Sequence, residues 1–515
     1  MANSYDYIVV GVGTAGAVLV NMLSRKYSVL GIESGRNYDS NSDILNSAEA
    51  SLLDTNFLWK FFWQGETTFD QTTQQSYHWA GGRLLGGCSS INGEQYVKGT
   101  ASLYDKWAQL GGYVWSSANV FNNYRELENY HGITDPSHGI CGPLNISQVP
   151  NTPTVFNSKV AQALSASSGI SLITDYNIPT QETGVFERWQ LTQYQNGVRV
   201  SSSNTFLGPS VMSFDECKGT AHGCGCYDFK IQFNSTANKL IWDCNKVVGI
   251  EYVKNGRTKC AYACKGVIMC SGIRTPEILQ RSGIGPSFQL ERLNIKPRIN
   301  LPVGSNIVNQ ILSTAVFSKD PNDPTLVNPN DIYAGGAFLP DPTDLSGPRK
   351  YQLVVSGIDD NTFSLSIIIL DPKSRGYSMI QDADPYTIPM VVSNYLSNSD
   401  DLQSFIIAYQ TYVLQLNNYF LANPGQYTGY QLISPSLAVI SDINALTDYI
   451  KTNIVQTYNI SSTARMGDVV DGCGRVYNTK NLYIADNCIA PYINNGNTQS
   501  TAYLIGYTIA KQLLC

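Results

Sequence analysis

The amino-acid sequence predicts an α/β fold, α+β over the whole chain, that is divided between two domains. A strand–turn–helix–strand unit with a glycine-rich turn at 11–16 predicts a Rossmann-like first domain. Alternating apolar and polar residues around 362–370 and 386–394 predict strands of a second, mostly antiparallel sheet, and 401–420 predicts a helix covering it. At 515 residues the chain is long enough for two such units.

The N-terminal unit has the order that a nucleotide-binding turn requires. Gly11 permits a tight turn, Gly13 lets the backbone approach a pyrophosphate, and Gly16 lets helix and strand pack closely. The helix N-terminus then offers unpaired N–H groups to phosphates. Glu33 ends the second strand, where an acid suits a ribose hydroxyl and disfavours a 2′-phosphate. The predicted nucleotide contacts are Gly11, Gly13, Thr14, Ala15, Gly16, Glu33 and Ser34.

The composition is that of a globular protein with few charges. The net charge of −6 argues against direct, nonspecific nucleic-acid binding, which needs a basic face. No apolar run approaches the roughly 20 residues of a membrane span. The apolar run at 7–20 contains three glycines and no basic leader, so it fits a strand entering a turn better than a signal peptide. The compartment stays open.

Twelve cysteines do not define a disulfide framework. Cys217, Cys224 and Cys226 lie together with His222 between them, but a zinc site usually has a wider, paired spacing. We therefore predict no metal site, and expect a surface insertion at this position that a disulfide holds in place.

Two long motifs resemble the signatures of one enzyme family. Residues 81–92 (GGRLLGGCSSIN) resemble the first signature of the glucose-methanol-choline (GMC) oxidoreductases, and residues 271–286 (SGIRTPEILQRSGIGP) resemble the second. Weaker family marks lie at 139–144, 372–376 and 394–396, so the resemblance runs along the whole chain. It implies FAD, rather than NAD, as the cofactor.

The resemblance also implies how the flavin is held. Small residues from Gly86 to Ser90 would let the backbone pass close to a flat ring. In some relatives a histidine at the place of Ile91 carries the flavin covalently, and isoleucine cannot, so we expect noncovalent FAD. The acid after the last strand and the start of the final helix match family positions at the flavin's ribityl chain and pyrimidine edge. The residues implied are Arg83, Gly86, Gly87, Ser89, Asn92, Gly93, Asp486, Asn497 and Thr498.

The same resemblance implies a discontinuous domain division. The FAD-binding domain is expected to combine 1–150, 197–300 and 465–515, because the glycine turn is N-terminal and the flavin-closing helix is C-terminal. The substrate-binding domain is expected to combine 151–196 and 301–464.

The family's catalytic histidine is missing from this chain. In the family, that histidine takes the hydroxyl proton of an alcohol while the α-hydride passes to flavin N5, and it precedes an Arg-Met-Gly element. Counting back eight residues from Gly467 of that element reaches Asn459. The second active-site position, histidine or asparagine in relatives, falls at Asn497, and Gln310 replaces another family histidine. An amide can position a hydroxyl but cannot take its proton, and general-base assistance is worth roughly 10²–10⁴-fold.

A substitute base has few candidates, because the chain has four histidines and none lies after 222. His78, just before the flavin loop, is the speculative base. The competing interpretation is an ordinary, partly buried histidine.

Three functions stay open at this point. The first is an FAD-dependent oxidase or dehydrogenase of a small-molecule alcohol, with weak turnover. The second is a catalytically silent structural or assembly protein that retains FAD and forms a homo-oligomer or larger assembly. The Asn-, Tyr- and Ile-rich sequence is similar to divergent GMC proteins of large DNA viruses, and that origin would favour a virion-associated role. The third is a hydroxynitrile lyase, which Asn459 disfavours because those relatives also rely on histidine.

Overall fold

Two large sheets organise the chain. A computed structural model describes residues 4–45, 62–64, 68–133, 135–150, 152–320, 322 and 333–515. The first sheet is parallel at its centre, and the second is antiparallel throughout. Helices accompany both sheets, and this combination confirms the predicted α/β fold.

The first sheet has nine strands. Ser4–Val10 lies at its centre and pairs in parallel with Val29–Ile32 and Arg257–Met269. Phe229–Gln232 and Leu482–Ile484 extend the parallel part on either side. All four residues of Val29–Ile32 are buried, as expected for a parallel strand covered on both faces. The antiparallel strands at the edges are Met212–Asp215, Thr220–Gly223, Ser235–Asp243 and Lys246–Lys254.

Helices from opposite ends of the chain pack against each other beside this sheet. Thr14–Leu23 follows the first strand, and Gln499–Leu514 ends the chain. Their approach requires a glycine, because a Cβ on Gly506 would lie 2.7 Å from the backbone oxygen of Ala15. The contact brings the C-terminal residues of the predicted cofactor site next to the N-terminal ones.

The second sheet has seven strands, and its strand Thr362–Ile369 confirms the strand predicted around 362–370. The other strands are Gly184–Phe186, Ile311–Ser318, Gly336–Leu339, Tyr351–Asp359, Gln431–Ser434 and Val455–Gln456. The helix predicted over 401–420 is also confirmed. It consists of Ser399–Ala408 and Leu414–Ala422, joined by the π-helical turn Tyr409–Val413.

The strand predicted over 386–394 is too long. Only Met390–Val392 is a strand, and it pairs with Tyr377–Met379. The residues before it form turns, because the Asp382 carboxylate accepts from the N–H of Asp384 and the Asp384 carboxylate accepts from the N–H of Tyr386. These side chains compete with strand pairing for the backbone donors.

The remaining elements are smaller strands, helices and turns outside the two large sheets. The smaller strands are Phe62–Gln64, Thr68–Asp70, Gln75–Tyr77, Ala80–Gly82, Glu128–His131, Leu144–Val149 and Trp189–Leu191. The other α-helices are Ser42–Leu45, Ala101–Gly111, Ser117–Leu127, Val155–Ser168, Ser202–Phe206, Thr275–Arg281, Ser287–Arg292, Leu437–Ser441 and Ile443–Asn453. Short 3₁₀ turns are Gly87–Ser90, Tyr113–Trp115, Gly272–Arg274 and Asn487–Ile489.

The expected disulfide is not formed. All twelve cysteines are free thiols, and each lies in a described range. The hairpin of Met212–Asp215 and Thr220–Gly223 is instead held by strand pairing at the edge of the first sheet. Within the described ranges, no group of three His, Cys, Asp or Glu side chains could hold a metal, and no helix is long and apolar enough to cross a membrane. The predicted division into domains stays a prediction.

Candidate functional site

The glycine turn brings the first strand and the first helix into backbone contact. Gly11 has φ +90°, a left-handed conformation that favours glycine. A Cβ on Gly11 would lie 2.6 Å from the backbone oxygen of Cys270, and a Cβ on Gly16 would lie 2.0 Å from the backbone oxygen of Gly11. No side chain fits at either position, so both glycines have the steric role expected of them.

The helix Thr14–Leu23 points its N-terminus at the second glycine segment. It begins with Thr14 and Ala15 and has no acidic residue in its first turn, so its N–H groups and positive dipole end remain available to an anion. Gly13 is its N-cap, and a Cβ there would lie 3.6 Å from Cα of Gly87.

Glu33 joins the two loops beside this turn. Its Oε2 accepts from the N–H of Val12 at 3.0 Å, and its Oε1 accepts from the N–H of Gly35 at 2.8 Å. The Ser34 hydroxyl also donates to Oε1. Burial raises the pKa of Glu33, against the opposing effect of these hydrogen bonds and of Arg83. Oε1 accepts from two donors, whereas Oε2 keeps a second lone pair that a ribose hydroxyl can use.

The second glycine segment packs against the first. Gly86 and Gly87 have φ of +83° and +54°. The N–H of Gly86 donates to the backbone oxygen of Val12 at 2.9 Å, and a Cβ on Gly87 would lie 2.8 Å from Cα of Gly13. Arg83 precedes this segment with an exposed side chain. The two glycine segments therefore form one cradle of bare backbone, which we call the glycine cradle.

Serine hydroxyls tie the glycine cradle to a third segment. Ser89 Oγ donates to the backbone oxygen of Gly86 at 2.6 Å and accepts from the N–H of Ser202 at 2.9 Å. Ser202 Oγ donates to the backbone oxygen of Gly13 at 3.2 Å. Ser202 thus contacts both glycine segments.

Asn92 and Gly93 follow the glycine cradle, and side chains from distant parts of the chain hold both residues. Asn92 Oδ1 accepts from Arg199, which is 2% exposed, at 3.1 Å, and Asn92 Nδ2 donates to Gln499 Oε1 at 2.9 Å. The backbone oxygen of Gly93 accepts from the Tyr333 hydroxyl. Asn92 therefore connects this segment to the first residue of the final helix.

Asp486 links the C-terminal strand to the second family motif. Its Oδ2 accepts from the N–H of Gly272 at 2.9 Å and from the Thr275 hydroxyl at 2.8 Å, while Oδ1 accepts from the N–H of Cys488 at 2.9 Å. Burial raises the pKa of Asp486, and these hydrogen bonds act in the opposite direction.

Asn497 and Thr498 precede the final helix, Gln499–Leu514. Asn497 Oδ1 accepts from Gln352 Nε2 at 3.0 Å. Thr498 is the N-cap but makes no side-chain cap hydrogen bond, because its hydroxyl donates instead to Asn459 Oδ1 at 3.2 Å. The structure therefore brings the two predicted catalytic residues to the uncapped N-terminus of one helix.

Asn459 and Gln310 form a hydrogen-bonded amide pair whose direction the backbone determines. Gln310 Nε2 donates to the backbone oxygens of Leu370 and Asn494 at 3.1 and 2.9 Å, and a carbonyl can only accept. Gln310 Oε1 must therefore face Asn459, whose Nδ2 donates to it at 2.8 Å. Asn459 Oδ1 is then the atom that faces the Thr498 hydroxyl. The pair carries no titratable group.

His78 meets the Asn459 segment through its backbone. Its carbonyl oxygen accepts from Gln456 Nε2, three residues before Asn459. Burial lowers the pKa of His78 below 6.5, which keeps the imidazole neutral at pH 7 and able to accept a proton. Its role as a base stays a prediction. Tyr458, directly before Asn459, has φ +59°, an unusual conformation for a bulky residue and typical of functional sites.

The arrangement fits FAD. The glycine cradle offers bare backbone to a pyrophosphate and a flat ring, and the N-terminus of Thr14–Leu23 opens on it. Sequence reasoning missed four contacting side chains, because their partners are distant in the chain. Thr275 lies within the second family motif and Arg199 is set between two valines, whereas the other two had no visible signal; the full set is Arg199, Ser202, Thr275 and Gln352.

Comparisons with known proteins agree with this geometry. Family models of the GMC oxidoreductases match residues 5–312 and 372–506. The chain is 27% identical to an oxygen-dependent choline dehydrogenase of Pectobacterium atrosepticum, over 99% of this chain and 94% of that protein. The fold is similar to the crystal structure of pyridoxine 4-oxidase from Mesorbium loti, with a TM-score of 0.84 and 22% identity over 98% of each chain. It is similar to formate oxidase with a TM-score of 0.84 and 20% identity, over 99% of this chain and 98% of that one.

These matches span both halves of the site, from the glycine turn to the final helix. The chain belongs to the GMC family of FAD-dependent oxidoreductases.

Proposed function

We propose that this protein oxidises the CH–OH group of a small alcohol slowly, because a neutral amide stands where a base would take the proton. The observation that carries the proposal is the Asn459–Gln310 pair beside the uncapped N-terminus of Gln499–Leu514. The site keeps groups that can orient a substrate and stabilise negative charge. Neither Asn459 nor Gln310 has a group that can take up a proton.

The chain's own residues would hold FAD without a covalent bond. Ile91 has no nucleophilic atom, so it cannot carry the flavin. When bound, FAD supplies a two-electron acceptor for hydride. The residues that would hold it are Gly11, Gly13, Thr14, Ala15, Gly16, Glu33, Ser34, Arg83, Gly86, Gly87, Ser89, Asn92, Gly93, Asp486, Asn497 and Thr498.

Asn459 orients a hydroxyl but cannot remove its proton. One Nδ2 hydrogen is used by Gln310 and one Oδ1 lone pair by Thr498, which leaves one donor and one acceptor for a substrate oxygen. The amide pair therefore offers no general base for the proton, and the loss of such assistance slows the reaction by roughly 10²–10⁴-fold.

The final helix supplies the electrostatic part of the site. The N-cap of Gln499–Leu514 leaves the first N–H groups without a side-chain acceptor. Together with the positive end of the helix dipole, these groups stabilise negative charge that develops nearby. Asn497 can add its Nδ2 donor, since Gln352 holds its Oδ1 and so fixes the orientation of the amide.

The test is anaerobic mixing of the purified holoprotein with primary, aromatic and sugar alcohols, followed by flavin absorbance. We expect slow bleaching by at least one alcohol, whereas dithionite bleaches the flavin at once. If no alcohol bleaches a flavin that dithionite reduces, the alcohol proposal fails. The observation that the amide pair lacks a base would then favour the second candidate, a structural or assembly protein that retains FAD.

A further inference from the structure

Four ionisable side chains meet in a buried cluster that the proposed reaction does not use, and we call it the ion tetrad: Lys98, Glu128, His138 and Asp175. Lys98 Nζ lies 2.9 Å from Glu128 Oε1. His138 Nδ1 lies 3.0 Å from Glu128 Oε2, and His138 Nε2 lies 2.8 Å from Asp175 Oδ2. None of the four side chains is more than 3% exposed. Burying such charges is costly unless every one is paired, so the tetrad has a demanding geometry.

The geometry favours a protonated His138. Each of its ring nitrogens has a carboxylate oxygen as its nearest neighbour, at 3.0 Å from Nδ1 and 2.8 Å from Nε2, and a neutral imidazole would turn one lone pair toward a negative charge. Lys98 Nζ also lies near Nδ1 but is more distant, at 3.4 Å. With His138 charged, two cations balance two anions. Burial and Lys98 act against the charge, but the bonds to Asp175 and Glu128 outweigh them and raise the pKa of His138 above 6.5.

The pKa values of both carboxylates are lowered, which favours their charged forms beside a charged His138. Burial acts to raise the pKa of Glu128, but Lys98 and His138 outweigh it, so that pKa is lowered. The pKa of Asp175 is lowered against burial by its bonds to His138 and the N–H of Asn177. The tetrad is therefore a set of charges that depend on one another.

The tetrad lies where separate parts of the chain join. Lys98, Glu128 and His138 belong to the stretch predicted to bind FAD, and Asp175 belongs to 151–196, predicted to bind substrate. Asp175 Oδ1 also accepts from Gln190 Nε2 at 2.6 Å, so two segments of that stretch are attached to it.

Residues 97–100 carry this junction to the active site. The N–H of Lys98 donates to Asn177 Oδ1 at 2.7 Å, which fixes the segment to the Asp175 side of the junction. On the other side, the backbone oxygen of Val97 accepts from Asn494 Nδ2 at 2.9 Å, and Asn495 Nδ2 donates to Thr100 Oγ1 at 2.9 Å. Residues 494–498, which we call the closing loop, thus attach to the segment that the tetrad holds.

We propose that His138 is a positioning residue whose protonated imidazole fixes residues 97–100 and, through them, the closing loop with Asn497 and Thr498. Loss of the proton would leave a lone pair against a carboxylate and one buried anion without a counterion. The junction would then loosen, and the closing loop with it.

Other titratable side chains surround the imidazole of His138. Tyr130 stacks on its face, with ring centroids 3.7 Å apart, and Tyr96 donates to Glu128 Oε1 at 2.8 Å. Asp135 and Arg188 act on Tyr130 with opposite signs. Burial raises the pKa values of Tyr96 and Tyr130, so both phenols stay uncharged while His138 titrates.

The direction of the pH effect follows from the raised pKa. A histidine whose folded-state pKa lies above its unfolded value contributes stability that is fully present below pH 6.5. That contribution is lost as the pH rises through the folded-state pKa. The closing loop should therefore loosen on the alkaline side.

Asp175→Asn separates this role from simple packing. The amide oxygen can still accept from Asn177 and Gln190, while Nδ2 can donate to His138 Nε2. A neutral imidazole then makes a hydrogen bond to both Glu128 and the new amide. The variant loses one negative charge at residue 175 and one positive charge at His138, so the net charge of the tetrad is unchanged. The variant keeps the shape of the junction and removes its need for a proton.

The experiment measures the visible circular dichroism of bound flavin and the FAD dissociation constant between pH 6 and 9. It needs no turnover, so it does not depend on the alcohol reaction. In the unmodified protein we expect the dichroism to change with one titration step and the dissociation constant to rise about tenfold, the factor that one unit of linked pKa shift gives. In Asp175→Asn both should stay nearly constant.

The matched control is His131→Gln, because His131 ends the strand that begins with Glu128 but is exposed and bonded to Asn145. It should titrate like the unmodified protein. An unmodified protein without the titration step would overturn the proposal without any variant. So would the same step in Asp175→Asn, since the proton on His138 would then have no part in it.

Discussion

At the end of the site that we propose binds the nucleotide, backbone contacts backbone, whereas at the proposed catalytic end side-chain amides contact one another. Gly13 and Gly87 approach so closely that a Cβ on Gly87 would lie 2.8 Å from Cα of Gly13. Asn459 and Gln310 instead contact through groups at the ends of side chains. The first end cannot accept a different residue without moving its backbone. The second can lose its acid–base chemistry while keeping its hydrogen bonds.

Gly87→Ala should have the largest effect on FAD binding and tests the backbone end. Gly87 has φ +54°, where alanine is strained by about 1 kcal/mol, and the added Cβ also enters the glycine cradle. We expect FAD binding to weaken at least about a hundredfold, because displaced backbone costs several kcal/mol. Titration of the apoprotein with FAD measures it.

Gly225→Ala is the matched control. Gly225 has φ +62°, but a Cβ there would meet nothing within 4 Å. Gly225→Ala should lower the free energy of unfolding by the same backbone strain of about 1 kcal/mol and leave FAD affinity unchanged. If both variants bind FAD equally well, the steric account of the glycine cradle is wrong.

Asp39→Asn should have the smaller effect, on stability. Burial raises the pKa of Asp39 to about 6, against the hydrogen bond from Ser203. The stability that its neutral form provides is present below pH 3.8 and is lost as the pH rises through about 6. Because the side chain is only partly covered, we expect the variant to be more stable by about 1 kcal/mol at pH 8, and equal at low pH.

Asp341→Asn should change the free energy of unfolding in the opposite direction to Asp39→Asn. Lys350 and Thr343 lower the pKa of Asp341 to about 2 against burial, so its stabilisation is present above pH 3.8 and is lost as the pH falls through about 2. This variant should be less stable at pH 8. Urea unfolding at pH 4 and pH 8 measures the free energy of unfolding of both variants. If both were more stable, or both less stable, than the unmodified protein at pH 8, the assignment would be contradicted.

The elements that could be predicted from the sequence are those that local pattern determines. The N-terminal strand, the helix Thr14–Leu23 and the final helix follow from periodicity and glycine spacing, and Glu33 and Asp486 lie at strand ends. The replacement at Asn459 was also visible, because it is counted from a motif a few residues away.

What could not be predicted depends on distant partners. Gln352 reaches Asn497 from the second sheet, and Asp175 reaches His138 across the junction. Gln310 and Asn459 were each expected as separate losses, yet they bond to each other. No local pattern records such pairings, since the two partners are distant in the chain.

Asn459→His tests the central claim most directly. The imidazole Nδ1 takes the place of Asn459 Nδ2, so its N–H can donate to Gln310 Oε1 and leave Nε2 as the proton acceptor. Anaerobic flavin bleaching by alcohols should become roughly 10²–10⁴-fold faster, and the gain should fall below about pH 6.5 as the imidazole is protonated. Gln310→Leu added to this variant should reduce the gain, because the tautomer is no longer held. An unchanged bleaching rate in a folded, FAD-loaded Asn459→His protein would contradict the account.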